Sequence, residues 1–385
     1  MNKILKFFLP VLVFSFLLFG AVDTMYFCFK NAYPVNIEKH RIFLGEEQKL
    51  IDEYVKKSEN FLQILKCCKN QFAISALKSS NDTWLFGKNG VFYSEWQTNF
   101  FINGTRSFVD SQTVFDEYAQ KISVLESLLK KSGKSFLFLI TASKAEIYPE
   151  FLPWQESIIY KKYGSKEGSQ TELLKSALQK YNVTFYDVAP DIRSLKKELG
   201  NSIYYPTGIH WSLRTTAREA NTILSKIDSI NIDSPVKITN EKLQLYKYDR
   251  EIFWKYPVLV KPKYDYRTPE LTFDNKSKLS LYMYGTSFLP HLAETFFNSA
   301  DDRLFNRIIV QEYFRTISTY DDNGYNFRFL DPGTAPDEIN LYENIQNSDI
   351  VIMEQQGCMG LYQIKEPHNR FLDYLIEKFS ALEVE

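Results

Sequence analysis

Two short segments carry the residue types from which a nucleophilic site is built. In Tyr282-Met283-Tyr284-Gly285-Thr286-Ser287-Phe288 an apolar run leads into a glycine, two hydroxyl residues and then a helix-like pattern. A glycine permits a tight turn, and a serine just after it, at the start of a helix, faces backbone N–H groups able to stabilise an oxyanion. The second segment is Tyr205–Ser212, YPTGIHWS, which holds one of only four histidines in the chain. His210 is the type of base that a serine nucleophile requires, and its place before the serine is no obstacle, because such sites are defined by geometry rather than chain order. Each residue also has a plain structural reading: a hydroxyl between strand and helix is an ordinary N-cap, and a histidine beside a tryptophan an ordinary core residue. His291, one helical turn after Ser287, is a second candidate base.

For these groups to meet, strands must end side by side, and the patterning predicts such strands. DTWLFGKNGVFY (82–93) reads as a β-hairpin about Gly87-Lys88-Asn89-Gly90. The spacing of Tyr118, Ile122, Leu125 and Leu129 predicts a helix over about 112–131, and SFLFLIT (135–141) a buried strand. Beyond the loop at 164–169, Leu173, Leu174, Leu178 and Tyr181 mark a helix, Asn182–Val188 a strand, and 191–199 a further helix. Ser212 is placed to cap the helix after His210. Strands are expected at 278–285, in FNRIIVQEY and at 348–355, with helices after the first and the last. The polar, proline-containing stretch 231–278 reads as an insertion with short strands. Strands separated by helices predict an α/β fold with a mostly parallel sheet covered on both faces, its functional groups at the carboxyl ends of the strands.

Composition narrows the class. With 44% hydrophobic and 16% aromatic residues the chain is expected to fold compactly, and a net charge of −1 gives no electrostatic footing for nucleic acid. Lys3 and Lys6 precede an uncharged apolar run, Phe7–Val22, that Asp23 ends. Without a small-x-small cleavage site, residues 1–23 read as an uncleaved signal anchor. The anchor would be a single-pass helix in the inner (cytoplasmic) membrane, with the rest of the chain in the periplasm or extracytoplasmic space. Residues 24–79 are expected to form a helical stalk or packing segment, and 80–385 the main domain. Cys28, Cys67, Cys68 and Cys358 have no metal-ligand spacing, His40 and His368 have no acidic or cysteine partners at such spacing, and no cofactor is expected.

Four blocks together resemble the SGNH-hydrolase-like proteins of the alginate acetylation type, the AlgJ/AlgX family. They are DTWLFGKNGVFY, ITASKAEIYPEFLP, YYPTGIHWS and YGTSF, with a weaker fifth in SDIVIMEQ, in matching order across about residues 80–356. The resemblance implies a flavodoxin-like sheet and an exported O-acetyltransferase that carries acetyl on Ser287, with His210 as general base, to a hydroxyl of a polysaccharide. It also implies a membrane-bound O-acyltransferase as acetyl supplier. The family has Asp two residues before the histidine and another just before the serine; here these positions are Gly208 and Thr286. Loss of a triad Asp lowers turnover by about 10⁴ in serine proteases, or roughly 5 kcal/mol of barrier. Asp187, Asp191 and Glu354, at the ends of neighbouring strands, are the candidate replacements. A carbohydrate acetylesterase, or a glycan-binding scaffold with a decayed site, would show the same blocks. Lys144, Tyr148 and Glu150 either line the cleft or form a rigid loop, and Trp96, Trp154 and Trp211 are candidates for stacking on sugar rings.

Overall fold

The structure is a computed structural model that describes residues 67–70, 84–103, 111–163, 169–227, 236–243, 267–273, 278–297, 303–331, 333–364 and 368–381. The apolar run at 7–22, nearly all of the stalk, His40, Cys28 and much of the 231–278 insertion lie outside the described residues. Residues 67–70 are helical. They belong to a compact unit of residues 1–76 and 256–261, distinct from the unit of residues 77–255 and 262–385 that carries everything below. No helix among the described residues is long and apolar enough to cross a membrane.

Eleven strands occur among the described residues: β1 (Trp84–Phe86), β2 (Phe92–Ser94), β3 (Ser135–Thr141), β4 (Phe185–Asp187), β5 (Val236–Leu243), β6 (Arg267–Phe273), β7 (Ser280–Gly285), β8 (Arg307–Glu312), β9 (Thr316–Asp321), β10 (Gly324–Phe329) and β11 (Ile350–Gln356). Seven form the central sheet, in the order β10-β9-β8-β7-β11-β3-β4. β8, β7, β11, β3 and β4 run parallel, and β9 and β10 extend the β8 edge as an antiparallel hairpin. The 82–93 segment forms the expected hairpin, β1–β2, and within the insertion β5 pairs with β6 in a sheet of its own.

Helices cover both faces. In chain order the described α-helices are α1 (Glu95–Asn103), α2 (Ser111–Lys131), α3 (Lys144–Ile147), α4 (Trp154–Tyr163), α5 (Gln170–Lys180), α6 (Ala189–Leu199), α7 (Leu213–Ser225), α8 (Leu289–Phe296), α9 (Leu341–Gln346), α10 (Gly360–Gln363) and α11 (Asn369–Ala381), of which α2, α5 and α11 pack on one face of the sheet and α6, α7 and α8 on the other. The period-two alternation of the strands sorts their side chains. Leu137, Leu139, Leu281, Met283, Ile308, Val310, Ile350 and Ile352 face α6, α7 and α8. Phe136, Phe138, Tyr282, Tyr284, Ile309, Val351 and Met353 face α2, α5 and α11. Continuing that alternation to the carboxyl ends puts Thr141, Gly285, Glu312 and Glu354 on the same face as α7 and α8. This geometry decides the character of the site.

Candidate active site

Ser287 lies two residues beyond the end of β7, in the turn that leads to α8. The helix begins at Leu289, so Ser287 sits in the turn and is not the N-cap. The turn is tied at three points. Thr286 N–H donates to Glu354 Oε2 (2.6 Å), Phe288 N–H to Thr286 Oγ1 (3.2 Å), and Leu289 N–H to the Thr286 carbonyl (3.1 Å). Thr286 thus holds the turn by its hydroxyl as well as by its backbone.

His210 approaches from the segment between α6 and α7, with its Nε2 2.7 Å from Ser287 Oγ. The pair is partly buried, and the imidazole packs edge-on against Phe288, at 5.1 Å between ring centroids, and tilted against His291, at 4.5 Å. His291 therefore lies against His210, the residue that approaches Ser287.

The His210 segment is held from several sides. Tyr204 and Trp211 form an isolated antiparallel bridge, Trp211 Nε1 donates to Tyr204 Oη (2.9 Å), and Tyr204 Oη donates to the Ala142 carbonyl (2.6 Å). Ser212 caps α7, its side chain accepting from Thr215 N–H at 3.2 Å. Lys144, just past β3, is buried, and its ammonium donates to the carbonyls of Tyr205 (2.6 Å), Phe92 (2.9 Å), Pro206 (3.1 Å) and Gly208. Phe92 N–H donates to the Pro206 carbonyl (2.8 Å), so the β1–β2 hairpin also braces the segment. A buried ammonium needs its three protons satisfied, and convergent carbonyls at a turn supply that. Lys144 accordingly belongs to the framework beneath His210 rather than to the cleft wall. Tyr148 is framework too: its hydroxyl donates to the Gly200 carbonyl (2.6 Å) and accepts from Ile203 N–H (3.2 Å). Glu150 lies at the surface, paired with Lys196 at 2.7 Å.

The three carboxylates suggested by sequence separate clearly. Asp187 accepts from Ala189 N–H (3.0 Å) and pairs with Lys175 (3.1 Å), while Asp191 accepts from Tyr186 Oη (2.5 Å). Both are committed to the β4–α6 region. Glu354 lies beneath the turn that carries Ser287, fully buried, held by Thr141 Oγ1 and the Thr286 amide. Burial pushes its carboxyl up to about 7, against the opposing pull of those two hydrogen bonds and of the charge of His210. Sequence reasoning missed Glu312, the last residue of β8, paired in register with Gly285. Burial raises its carboxyl, and the charge of His210 is the first of the influences opposing that rise. Glu312 and Glu354 flank Gly285 on one face of the sheet and both feel His210 electrostatically. The signal was present: RIIVQE and IVIMEQ each place a glutamate at the carboxyl end of a buried strand, in phase with its inward residues.

Of the aromatic candidates, Trp211 is only 2% exposed and is core, as its hydrogen bond to Tyr204 requires, whereas Trp96 and Trp154 stand 44% and 72% exposed. His368 is also core: it is hydrogen-bonded to Tyr118, and burial lowers its pKa to about 3. Among the described residues Cys67, Cys68 and Cys358 are free thiols.

Residues 80–240 match the family described as SGNH hydrolase-like domain, acetyltransferase AlgX. The match covers less than half of the chain. It includes Lys144, Gly208 and His210 and ends before Ser287, which the fold returns to His210. No curated protein sequence matches the chain. Among solved structures it is similar to the O-acetyltransferase domain of Pseudomonas putida AlgJ, at 14% identity over 77% of this chain and 99% of that one, with a TM-score of 0.42. It is also similar to Pseudomonas aeruginosa AlgX, at 13% identity over 75% of this chain and 67% of that one (TM-score 0.43). Bacillus cereus PatB1 matches at 11% identity over 68% of this chain and 93% of that one (TM-score 0.40). The central sheet is the mostly parallel, helix-flanked sheet of an SGNH-hydrolase-like α/β fold.

Proposed function

We propose that this AlgX-type protein is an extracytoplasmic O-acetyltransferase that modifies a polysaccharide or cell-envelope glycan through an acetyl-serine on Ser287. The reading is carried by the 2.7 Å approach of His210 Nε2 to Ser287 Oγ at the carboxyl edge of the parallel sheet. His210 takes the Ser287 proton as Oγ attacks the carbonyl carbon of an acetyl ester. The oxyanion so formed is met by the Ser287 amide, since the Thr286, Phe288 and Leu289 amides are engaged within the turn. Collapse breaks the bond to the donor's leaving oxygen, which takes the proton from His210. A sugar hydroxyl then attacks the acetyl-serine, its proton passing to His210 and on to Ser287 as the O-acetyl sugar departs.

With Gly208 in the acid position, stabilisation of the imidazolium falls to Glu312 and Glu354, acting through space, while Lys144 and Tyr204 hold the backbone that orients the ring. The acetyl group reaches Ser287 from a membrane-bound O-acyltransferase, and residues 1–23 anchor the chain to the same membrane.

The decisive measurement uses the full-length protein with p-nitrophenyl acetate. Nitrophenol release, and a mass increase of one acetyl group on the Ser287 peptide, should fall by about 10³-fold or more in both Ser287→Ala and His210→Ala. Equal release by wild type and Ser287→Ala would overturn the catalytic reading and leave a glycan-binding scaffold. Transfer to an oligosaccharide in place of water separates transferase from esterase.

A further inference from the structure

Helix α4 is turned the wrong way round for a helix at the surface of a folded domain. Ser157 is buried and Tyr160 is turned inward, while Trp154, Ile158 and Ile159 stand 72%, 45% and 39% exposed. Trp154 and Ile158, four residues apart, share one face, and Ile159 flanks them. The inner face is already engaged: Tyr160 stacks on Phe101 of α1 at 5.2 Å between centroids, and both rings pack on a small core of Leu152, Ile102 and Ala145 with Val91 and Tyr93 of the β1–β2 hairpin. The outward residues are thus a second, separate surface. A helix that buries a serine and offers a tryptophan and two isoleucines outward carries the mark of an interaction face.

The composition of that face suits a lipid surface. Tryptophan settles at the boundary between headgroups and acyl chains, and the aliphatic residues beside it enter the acyl region. Lys161 and Lys162, both exposed, lie in the last turn, and two lysines against one acid, Glu156, leave the helix net positive, complementary to anionic headgroups. Lysine stems lie along apolar surface while the ammonium stays among the phosphates, so a helix lying flat accommodates both. The path of the chain points the same way. Residues 7–22 are the uncharged apolar run that reads as an anchor, and the chain coming from it enters the domain through the β1–β2 hairpin, whose Lys88 reaches the Glu150 carbonyl (3.4 Å) four residues before Trp154. A domain tethered to a bilayer meets it at high effective concentration, so a contact too weak to hold a free protein suffices.

We infer that the outer face of α4 rests on an anionic bilayer surface, with Trp154 and Ile158 at the boundary of headgroups and acyl chains and Lys161 and Lys162 among the phosphates. This rests on the reading of residues 1–23 as a membrane anchor, and adds which face of the domain meets the membrane. α4 follows α3 from the carboxyl end of β3, and Ser287 follows the carboxyl end of the parallel strand β7, so both belong to one edge of the sheet. Resting on α4 turns that edge, with Ser287 and His210, toward the membrane from which the acetyl group is supplied.

The test reconstitutes the full-length protein into vesicles of phosphatidylcholine and phosphatidylglycerol, part of the phosphatidylcholine brominated on its acyl chains. Bromine quenches tryptophan only at contact, and none of the chain's five tryptophans lies in residues 1–23, so the anchor itself gives no signal. Wild-type emission should be quenched, and the quenched part should be absent in Trp154→Phe. Ile158→Glu combined with Ile159→Glu should abolish the quenching while hydrolysis of p-nitrophenyl acetate keeps the wild-type rate; if that variant misfolds by circular dichroism, Ile158→Ser replaces it with the same expectation. Each of Lys161→Gln and Lys162→Gln should lower the ratio of contacting to free domain about fivefold. No quenching in wild type, or equal quenching in Trp154→Phe, overturns the contact, and protein that alkaline extraction leaves in the vesicles keeps the anchor. Protein released by alkaline extraction overturns the anchor alone, if added vesicles still quench Trp154. Shielding of Trp154 from acrylamide by cellotetraose, with no quenching by lipid, assigns the face to a glycan and overturns the lipid contact.

Discussion

A single missing atom shapes the turn that carries Ser287. A Cβ on Gly285 would stand 2.5 Å from Glu354 Oε2 and 2.6 Å from the Glu354 carbonyl, distances that no side chain tolerates. Glycine is needed there for close approach, because the space a side chain would fill is taken by the carboxyl that holds the Thr286 amide. Gly285→Ala should therefore cost on the order of 2–3 kcal/mol and displace Ser287 from His210, seen as a lower thermal midpoint together with lost acetyl-ester hydrolysis. The two glutamates either side of it allow a gentler probe. If their charge steadies the imidazolium, Glu312→Gln and Glu354→Gln should each lower kcat by about tenfold with KM little changed, and the double variant by more than either. A fall in thermal stability with kcat unaltered would assign both residues to structure alone.

The element that matters most is the irregular segment from Tyr204 to Trp211, which has no ladder of its own beyond one bridge and is held by its surroundings. Lys144 gathers the carbonyls of Tyr205, Pro206 and Gly208 with that of Phe92, joining the end of β3, the β1–β2 hairpin and the His210 segment in one knot. Lys144, Phe92 and the Tyr205–Gly208 carbonyls all lie within residues 80–240, the range that the family model matches. Lys144→Met keeps most of the stem but leaves buried carbonyls unanswered, at a cost on the order of 3 kcal/mol. Stopped-flow hydrolysis should show kcat reduced in the fraction that remains folded, because the backbone that aims His210 has lost its fastening. An unchanged kcat would confine Lys144 to stability.

At the scale of the molecule, several carboxyls are buried against their own charge. Burial pushes Glu146, Glu219, Glu294 and Glu354 each up to about 7 from an ordinary value of 4.5. A raised carboxyl holds its proton more tightly in the folded state than in the unfolded one. Its contribution to stability is complete below 4.5 and is lost as pH rises through about 7. The half-buried Asp116 and the exposed Asp337, held below their ordinary value by hydrogen bonds from Lys180 and Tyr374, act oppositely, but only at pH below about 4. The thermal midpoint should accordingly be higher near pH 5 than near pH 8, and Glu219→Gln, which cannot titrate, should flatten the decline. A midpoint that rises between pH 5 and 8 would contradict this account.

The local pattern of the chain was enough for the strands that are buried on both faces. FLFLI (136–140) and IVIM (350–353) are apolar without interruption because helices cover them on either side, and such runs announce themselves. The β9–β10 hairpin escaped notice because β10, at the sheet edge, keeps Tyr325, Phe327 and Phe329 exposed and lacks any apolar run to betray it. The segments that carry Ser287 and His210 were likewise legible, since each holds a residue type, Gly285 and Trp211, that marks a turn and a packed helix start. What sequence alone could not decide was which carboxyls stand near His210. Asp187 and Asp191 were as well placed along the chain as Glu354, yet Lys175 and Tyr186 claim them. The order β8-β7-β11 instead brings residues 312 and 354 to either side of Gly285, across separations that no local pattern can register. The chain sets the strands and the segments that hold Ser287 and His210 by local pattern; the meeting of those two side chains across 77 residues and the charges around them follow from the tertiary fold and its strand order.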